Sequence, residues 1–137
     1  MALKTTAELL AEVPLFAGLS RKQLGRVSNL TTRLELAEGR ELTQQGGIGH
    51  EFIVVLDGTV DVIIDGEVVN TCSAGSCFGE IALLSDRRRT ATVLAKTDVV
   101  IDVIGRREFS ALLEVDPGIS EQLHRAMAQH LAGDESR

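Results

Sequence analysis

Residues 43–65 read TQQGGIGHEFIVVLDGTVDVIID, and they decide the fold. FIVVL at 52–56 is a short apolar run that suits a strand buried on both sides. Asp57-Gly58 turns the chain, and VDVIID at 60–65 then alternates in the way of a strand with one buried face. The alternation returns in VVIDVI at 99–104. Between Thr31 and Ile104 the chain is rich in β-branched residues and broken by further turn signals at Glu38-Gly39, Gly46-Gly47, Asp65-Gly66 and Gly75. Eight of the 13 glycines fall between Gly39 and Gly79. Turns spaced about eight to twelve residues apart predict an antiparallel sandwich, roll or barrel, and the strand types suit a closed β-roll.

Helices flank this segment. Thr5 with Glu8 and Ser20 with Gln23 each match a capping box. Leu9, Leu10 and Val13 continue the first until Pro14, and Leu24 and Val27 support a second helix over 20–29. After Gly105, Phe109, Leu112 and Leu113 share a helical face. Asp116-Pro117 supplies an N-cap and a first-turn proline for a last helix with the apolar stripe Ile119, Leu123, Ala126, Met127 and His130, which Gly133 is placed to end. The predicted architecture is mainly β: an antiparallel β-roll of the double-stranded β-helix, jelly-roll-like kind, with N-terminal helices and two C-terminal helices. Residues 1–133 are expected to form a single domain (helical 1–30, roll 31–104, helices 105–133), followed by a polar tail at 134–137.

Length and composition bound what such a domain can do. The chain has 137 residues, enough for one domain with a core that needs no disulfide or metal. Aromatics are 3% of it, four Phe with no Tyr or Trp, so aliphatic residues must build the core. A net charge of −6 argues against direct nucleic-acid binding and leaves one small anion open. No signal peptide or long apolar run is visible, so a soluble, cytoplasmic protein without membrane contact is expected. Cys72 and Cys77, with no second pair and no clustered His, read as buried free thiols and not as a metal site.

The chemistry lies in residues 78–93, FGEIALLSDRRRTATV. A single helical turn beginning at Gly79 would present several unpaired N–H groups, which with the local dipole make an anion site. Arg89, across the loop, can hold a phosphate by two parallel hydrogen bonds. Glu80 beside an anion needs another task, and a carboxylate accepts only, so it calls for a hydroxyl donor. One ligand carrying a phosphate and a ribose hydroxyl explains both residues. Arg87 and Arg88 read as surface residues.

FGEIALLSDRRRTATV and, upstream, TQQGGIGHEFIVVLDGTVDV at 43–62 together resemble the cyclic-nucleotide-binding domain family of bacterial transcription regulators, gated channels and cyclic-nucleotide-dependent kinases. The first segment is similar to that family's phosphate-binding cassette and the second to its glycine-containing hairpin. The resemblance implies a ligand-binding set of Gly79, Glu80, Ile81, Ala82, Arg89, Thr90 and Ala91. In it Glu80 takes the ribose 2′-hydroxyl, Arg89 the cyclic phosphate, N–H groups around Ala82 and Ala91 complete the cradle, and Thr90 offers its hydroxyl to phosphate or purine. It also implies that the final helices close over the purine, with Cys72 lining its pocket and Met127 or His130 capping it. On the residues alone, His130 on an apolar helical stripe reads first as a packed or interface histidine, and Cys72 fits a pocket lining and a plain core alike.

The expected function is thus a sensor for a cyclic nucleotide, cAMP in preference to cGMP, with no cofactor, no catalysis and an unidentified effector protein. Two other readings are a β-roll that has lost its nucleotide and serves as a protein scaffold, and a metal-dependent cupin-like enzyme. The apolar stripe of the last helix, which could dock on a partner or a second copy as a homodimer, keeps the former open. His50 in a turn and His124 and His130 in the last helix give the latter poor ligands.

Overall fold

The computed structural model describes residues 5–12, 16–79 and 88–135, grouped in two units. One comprises residues 31–106, and the other the segments 1–30 and 107–137.

The first unit contains strands β1 (Thr32–Leu36), β2 (Glu41–Thr43), β3 (Glu51–Asp57), β4 (Val60–Ile64), β5 (Glu67–Cys72), β6 (Cys77–Phe78), β7 (Thr92–Ala95) and β8 (Val99–Gly105). They pair antiparallel in two four-stranded sheets, ordered β1-β8-β3-β6 and β2-β7-β4-β5. All of these strands feed one core. Ile53, Val55, Val60, Val93, Ala95, Val99 and Ile101 are buried in it, and Leu36, Leu42, Cys72, Phe78 and Val103 pack against them. β-Branched residues suit such pleated, facing surfaces, which is how a roll without Tyr or Trp can still be filled. FIVVL behaves as its composition predicts, for all five of its residues in β3 are buried.

Asp65 and Gly66, at φ of 52° and 81°, form the two-residue link from β4 to β5. Positive φ at both central positions is the hairpin geometry that an Asp-Gly pair favours. The Gln45 side chain clasps this tip, donating from Nε2 to Asp65 Oδ1 (2.9 Å) and accepting the Asp65 N–H at Oε1 (2.8 Å).

The alternation of VVIDVI is broken in one respect, because Asp102 is buried with its apolar neighbours at 1% exposure. Its carboxylate is met by Arg33, its register partner in β1, through Nε to Oδ1 (3.1 Å) and Nη2 to Oδ2 (3.4 Å). A buried carboxylate is tolerable only when paired in this way. The hydrogen bond first, and then the charge of Asp102, raises the Arg33 pKa.

The helical unit holds α1 (Thr6–Ala11), α2 (Arg21–Ser28), most of α3 (Arg106–Val115) and α4 (Pro117–Glu135). Both capping boxes are closed: Glu8 N–H reaches Thr5 Oγ1 at 3.2 Å and Gln23 N–H reaches Ser20 Oγ at 3.1 Å, each with its return bond. Leu9, Leu10, Phe16, Leu24, Val27, Phe109, Ile119 and Leu123 are buried, and Phe16 meets Phe109 edge-on at 6.1 Å. Leu112 and Leu113 are half-buried. Asp116 accepts the Ile119 N–H at 3.4 Å, as an N-cap does, and pairs with Arg26 of α2.

Two expectations need correction. α4 continues through Gly133 to Glu135, since a glycine ends a helix only where it adopts left-handed cap geometry. Cys72 and Cys77 are free but half-buried, each lying at a strand end beside the turn at Gly75.

Ile101, buried on the central strand β8, tests the shared core. Ile101→Ala is expected to lower unfolding free energy by about 2–5 kcal/mol, read as a reduced urea midpoint at an unchanged slope.

Candidate functional site

The site forms where the loop from β2 to β3, the end of β6 and the segment leading into β7 meet. Hydrogen bonds fix the main chain of that last segment first. Gly46 N–H donates to the Arg89 carbonyl and Arg89 N–H to the Gly47 carbonyl, both at 2.8 Å. Arg88 Nη1 donates to the Gly46 carbonyl (2.9 Å), Gln45 N–H to Thr92 Oγ1 (2.9 Å) and Thr43 Oγ1 to the Ala91 carbonyl (3.0 Å). The glycine-rich loop is thus the bed on which Arg89 rests.

The Arg89 side chain is half-buried, with Nη2 donating to the Glu51 carbonyl at 2.7 Å. Its guanidinium lies against two glycines. A Cβ added to Gly49 would overlap the guanidinium, and one added to Gly79 would overlap it and stand 2.7 Å from the Glu51 carbonyl oxygen. Gly79 also has φ +86°, a conformation that side-chain-bearing residues rarely adopt. Burial lowers the Arg89 pKa, while the Glu51 charge acts in the opposite direction. Arginine nevertheless stays protonated at any pH the fold survives. A partly dehydrated cation with a planar fork of five donors is a receptor for a two-oxygen face of an anion.

Gly79 and Arg89, expected to serve one anion from opposite sides of a loop, lie against each other. Thr90 is exposed immediately after Arg89, and Ala91 is half-buried. Glu80, Ile81 and Ala82, the predicted helical turn after Gly79, and Arg87 lie outside the described residues. So do the side chains of Ala126, Met127 and His130, although their backbone belongs to α4. Cys72 packs against the roll core. Arg88 is exposed, as expected of a surface residue, but it is tied to the loop.

Sequence reasoning missed Gly49 and Glu51. Glu51 acts through its main-chain carbonyl, which leaves no trace in residue type. Gly49 did carry a signal, because Gly46, Gly47 and Gly49 lie closer together than turns alone require. Among the described residues no group of three or more His, Cys, Asp or Glu is placed to hold a metal ion. No helix among them is long and apolar enough to cross a membrane.

The structure is thus a double-sheet antiparallel roll with an arginine seated between two glycines. The sequence model of the cyclic nucleotide-binding domain matches residues 33–116, from β1 to the residue after α3, and the chain belongs to that family. It is 34% identical over 106 residues, 77% of its length, to a cAMP-dependent protein kinase regulatory subunit of Schizosaccharomyces pombe, covering 26% of that protein. Its fold matches the N-terminal domain of a transcriptional regulator from Streptomyces coelicolor A3(2) with a TM-score of 0.85 at 28% identity, covering 93% of each chain. It matches a cAMP-bound PfPKA-R fragment with a TM-score of 0.69 at 25% identity, covering 92% of this chain and 44% of that one. The chain spans 19% to 30% of the length of curated relatives it matches.

The glycine contacts make a direct test possible. Gly49→Ala is expected to displace the Arg89 guanidinium and weaken cyclic-nucleotide binding by roughly tenfold or more, the worth of a hydrogen bond to a charged group. Calorimetric titration checks the affinity.

Proposed function

We propose that this chain is a cyclic-nucleotide sensor that prefers cAMP to cGMP and binds it through Gly79, Glu80, Ile81, Ala82, Arg89, Thr90 and Ala91. Arg89 takes the cyclic phosphate and Glu80 the ribose 2′-hydroxyl. The observation that carries this reading is the Arg89 guanidinium held between Gly49 and Gly79 in a member of the cyclic nucleotide-binding family. Relatives named as cAMP-dependent protein kinase regulatory subunits, and a cAMP-bound structural neighbour, support the choice of cAMP.

The protein acts as a switch and not as a catalyst, in the cytoplasm and through an effector protein. Bound nucleotide favours one packing of residues 105–133, and the surface offered to the effector changes with it. A ligand can shift such a balance only by the difference in its affinity for the two packings.

Arg89→Ala is expected to cost about 2–5 kcal/mol of cAMP binding, the range for removing one member of a buried charge pair. Arg89→Lys should also weaken binding, because a point charge does not replace a two-pronged contact. Calorimetry with both variants decides the assignment, and unchanged affinities would end it.

Side-by-side titration of the wild-type chain with cAMP and cGMP decides the base preference. Tighter cGMP binding would reverse it, and silence with both nucleotides would favour the scaffold reading.

A further inference from the structure

The loop from β2 to β3, residues 44–50, contains Gly46, Gly47 and Gly49, and it carries the main-chain bonds that seat Arg89. Glycine-rich chain loses much entropy on ordering, so such a loop keeps one conformation only where something outside it fixes it. Gln45 reaches out of the loop on two sides. Its N–H donates to Thr92 Oγ1 at 2.9 Å. Its side chain makes two bonds to Asp65, with Nε2 donating to Oδ1 at 2.9 Å and Oε1 accepting the Asp65 N–H at 2.8 Å.

Gln45 also stands within a turn. The Gly47 N–H donates to the Gln44 carbonyl at 3.0 Å, which closes a β-turn with Gln45 and Gly46 at its centre. Gly46 has φ +79° and Gln45 does not share the positive φ, the pattern of a type II turn. Type I and type II turns differ by a flip of the central peptide, here the one joining Gln45 to Gly46, and a glycine at the third position accepts either. The N–H of this peptide is the one that donates to the Arg89 carbonyl at 2.8 Å. A flip would turn it away and cost the Arg89 main chain one of its two bonds to the loop.

The clasp orders the loop more than the hairpin. Asp65-Gly66 closes the link from β4 to β5 through its own positive φ values and the ladder behind it, from Val60–Cys72 to Ile64–Glu67. The tip is therefore the firm partner. We propose that Gln45 and Asp65 are positioning residues for the nucleotide site, holding the peptide between residues 45 and 46 in the orientation that seats Arg89. The tip of the β4–β5 hairpin is then part of the binding apparatus, although neither residue belongs to the ligand-binding set. The inference rests on the cyclic-nucleotide reading and adds a support to that same site.

A double-mutant cycle on the full chain tests it, read by cAMP calorimetry and by hydrogen exchange of the Gly46 amide. Q45E keeps an acceptor for the Asp65 N–H but sets a carboxylate against a carboxylate, and Q45A removes both bonds. Each should weaken cAMP binding roughly threefold to tenfold, the worth of an ordinary hydrogen bond, and speed exchange at Gly46. D65N retains an acceptor oxygen for the Gln45 amide and should leave both readouts as in the wild type. Q45E with D65N places a donor opposite the introduced carboxylate and should recover both readouts, whereas Q45A with D65N should recover neither.

Wild-type affinity in Q45E and Q45A overturns the positioning role and leaves the sensor assignment standing. No recovery in Q45E with D65N overturns it as well. Recovery in Q45A with D65N, or tighter binding in D65N alone, assigns the effect to net charge and has the same consequence. A wild-type chain that binds no cyclic nucleotide ends both readings.

Discussion

The pairing of β8 between β1 and β3 is the constraint on which the roll depends. Thr32–Leu36 finds its partner only after the 62 intervening residues, 37–98, have folded back, in the register Thr32 to Val103 through Leu36 to Val99. The same strand pairs on its other edge with β3, from Glu51–Gly105 to Asp57–Val100. Its inward side chains Val99, Ile101 and Val103 then meet those of the second sheet in one core. Such long-range closure is slow to form, because loop entropy is lost before the contacts repay it. Once formed, it fixes both ends of the segment that carries the site.

That order explains the character of the Arg89 site. Arg89 is placed by main-chain bonds to Gly46 and Gly47, by the Glu51 carbonyl and by two glycines that leave room for nothing else. The cost of orienting and partly dehydrating the guanidinium is therefore met during folding. A ligand arriving at a group already held in place loses less of its binding energy to ordering than one that must organise a loose loop.

Much of this was legible in the residues. The capping boxes at Thr5 and Ser20, the Asp65-Gly66 turn and the doubly buried FIVVL run are local signals, and each appears where its chemistry put it. Arg89 was singled out by type, for its fork, whereas the need for a missing Cβ at Gly79 shows only once Arg89 and the Glu51 carbonyl are seen against it. What escaped was non-local or carried by the main chain. The burial of Asp102 depends on Arg33, a partner 69 positions away, and polar residues in an alternating strand otherwise read as facing water. The Glu51 carbonyl is chemically the same as any other, so only its position shows what it does. Gly133 misleads in the reverse sense, since its type suggests a stop that the backbone does not make.

The absence of any loop between β8 and α3 has a mechanical consequence. The helix starts at the residue after Gly105, so the chain passes from extended to helical backbone with no residue between the two elements. A ten-residue helix is a rod about 15 Å long. A tilt of roughly 10° at its base sweeps its far end by about 2.6 Å on that length, half a helical turn.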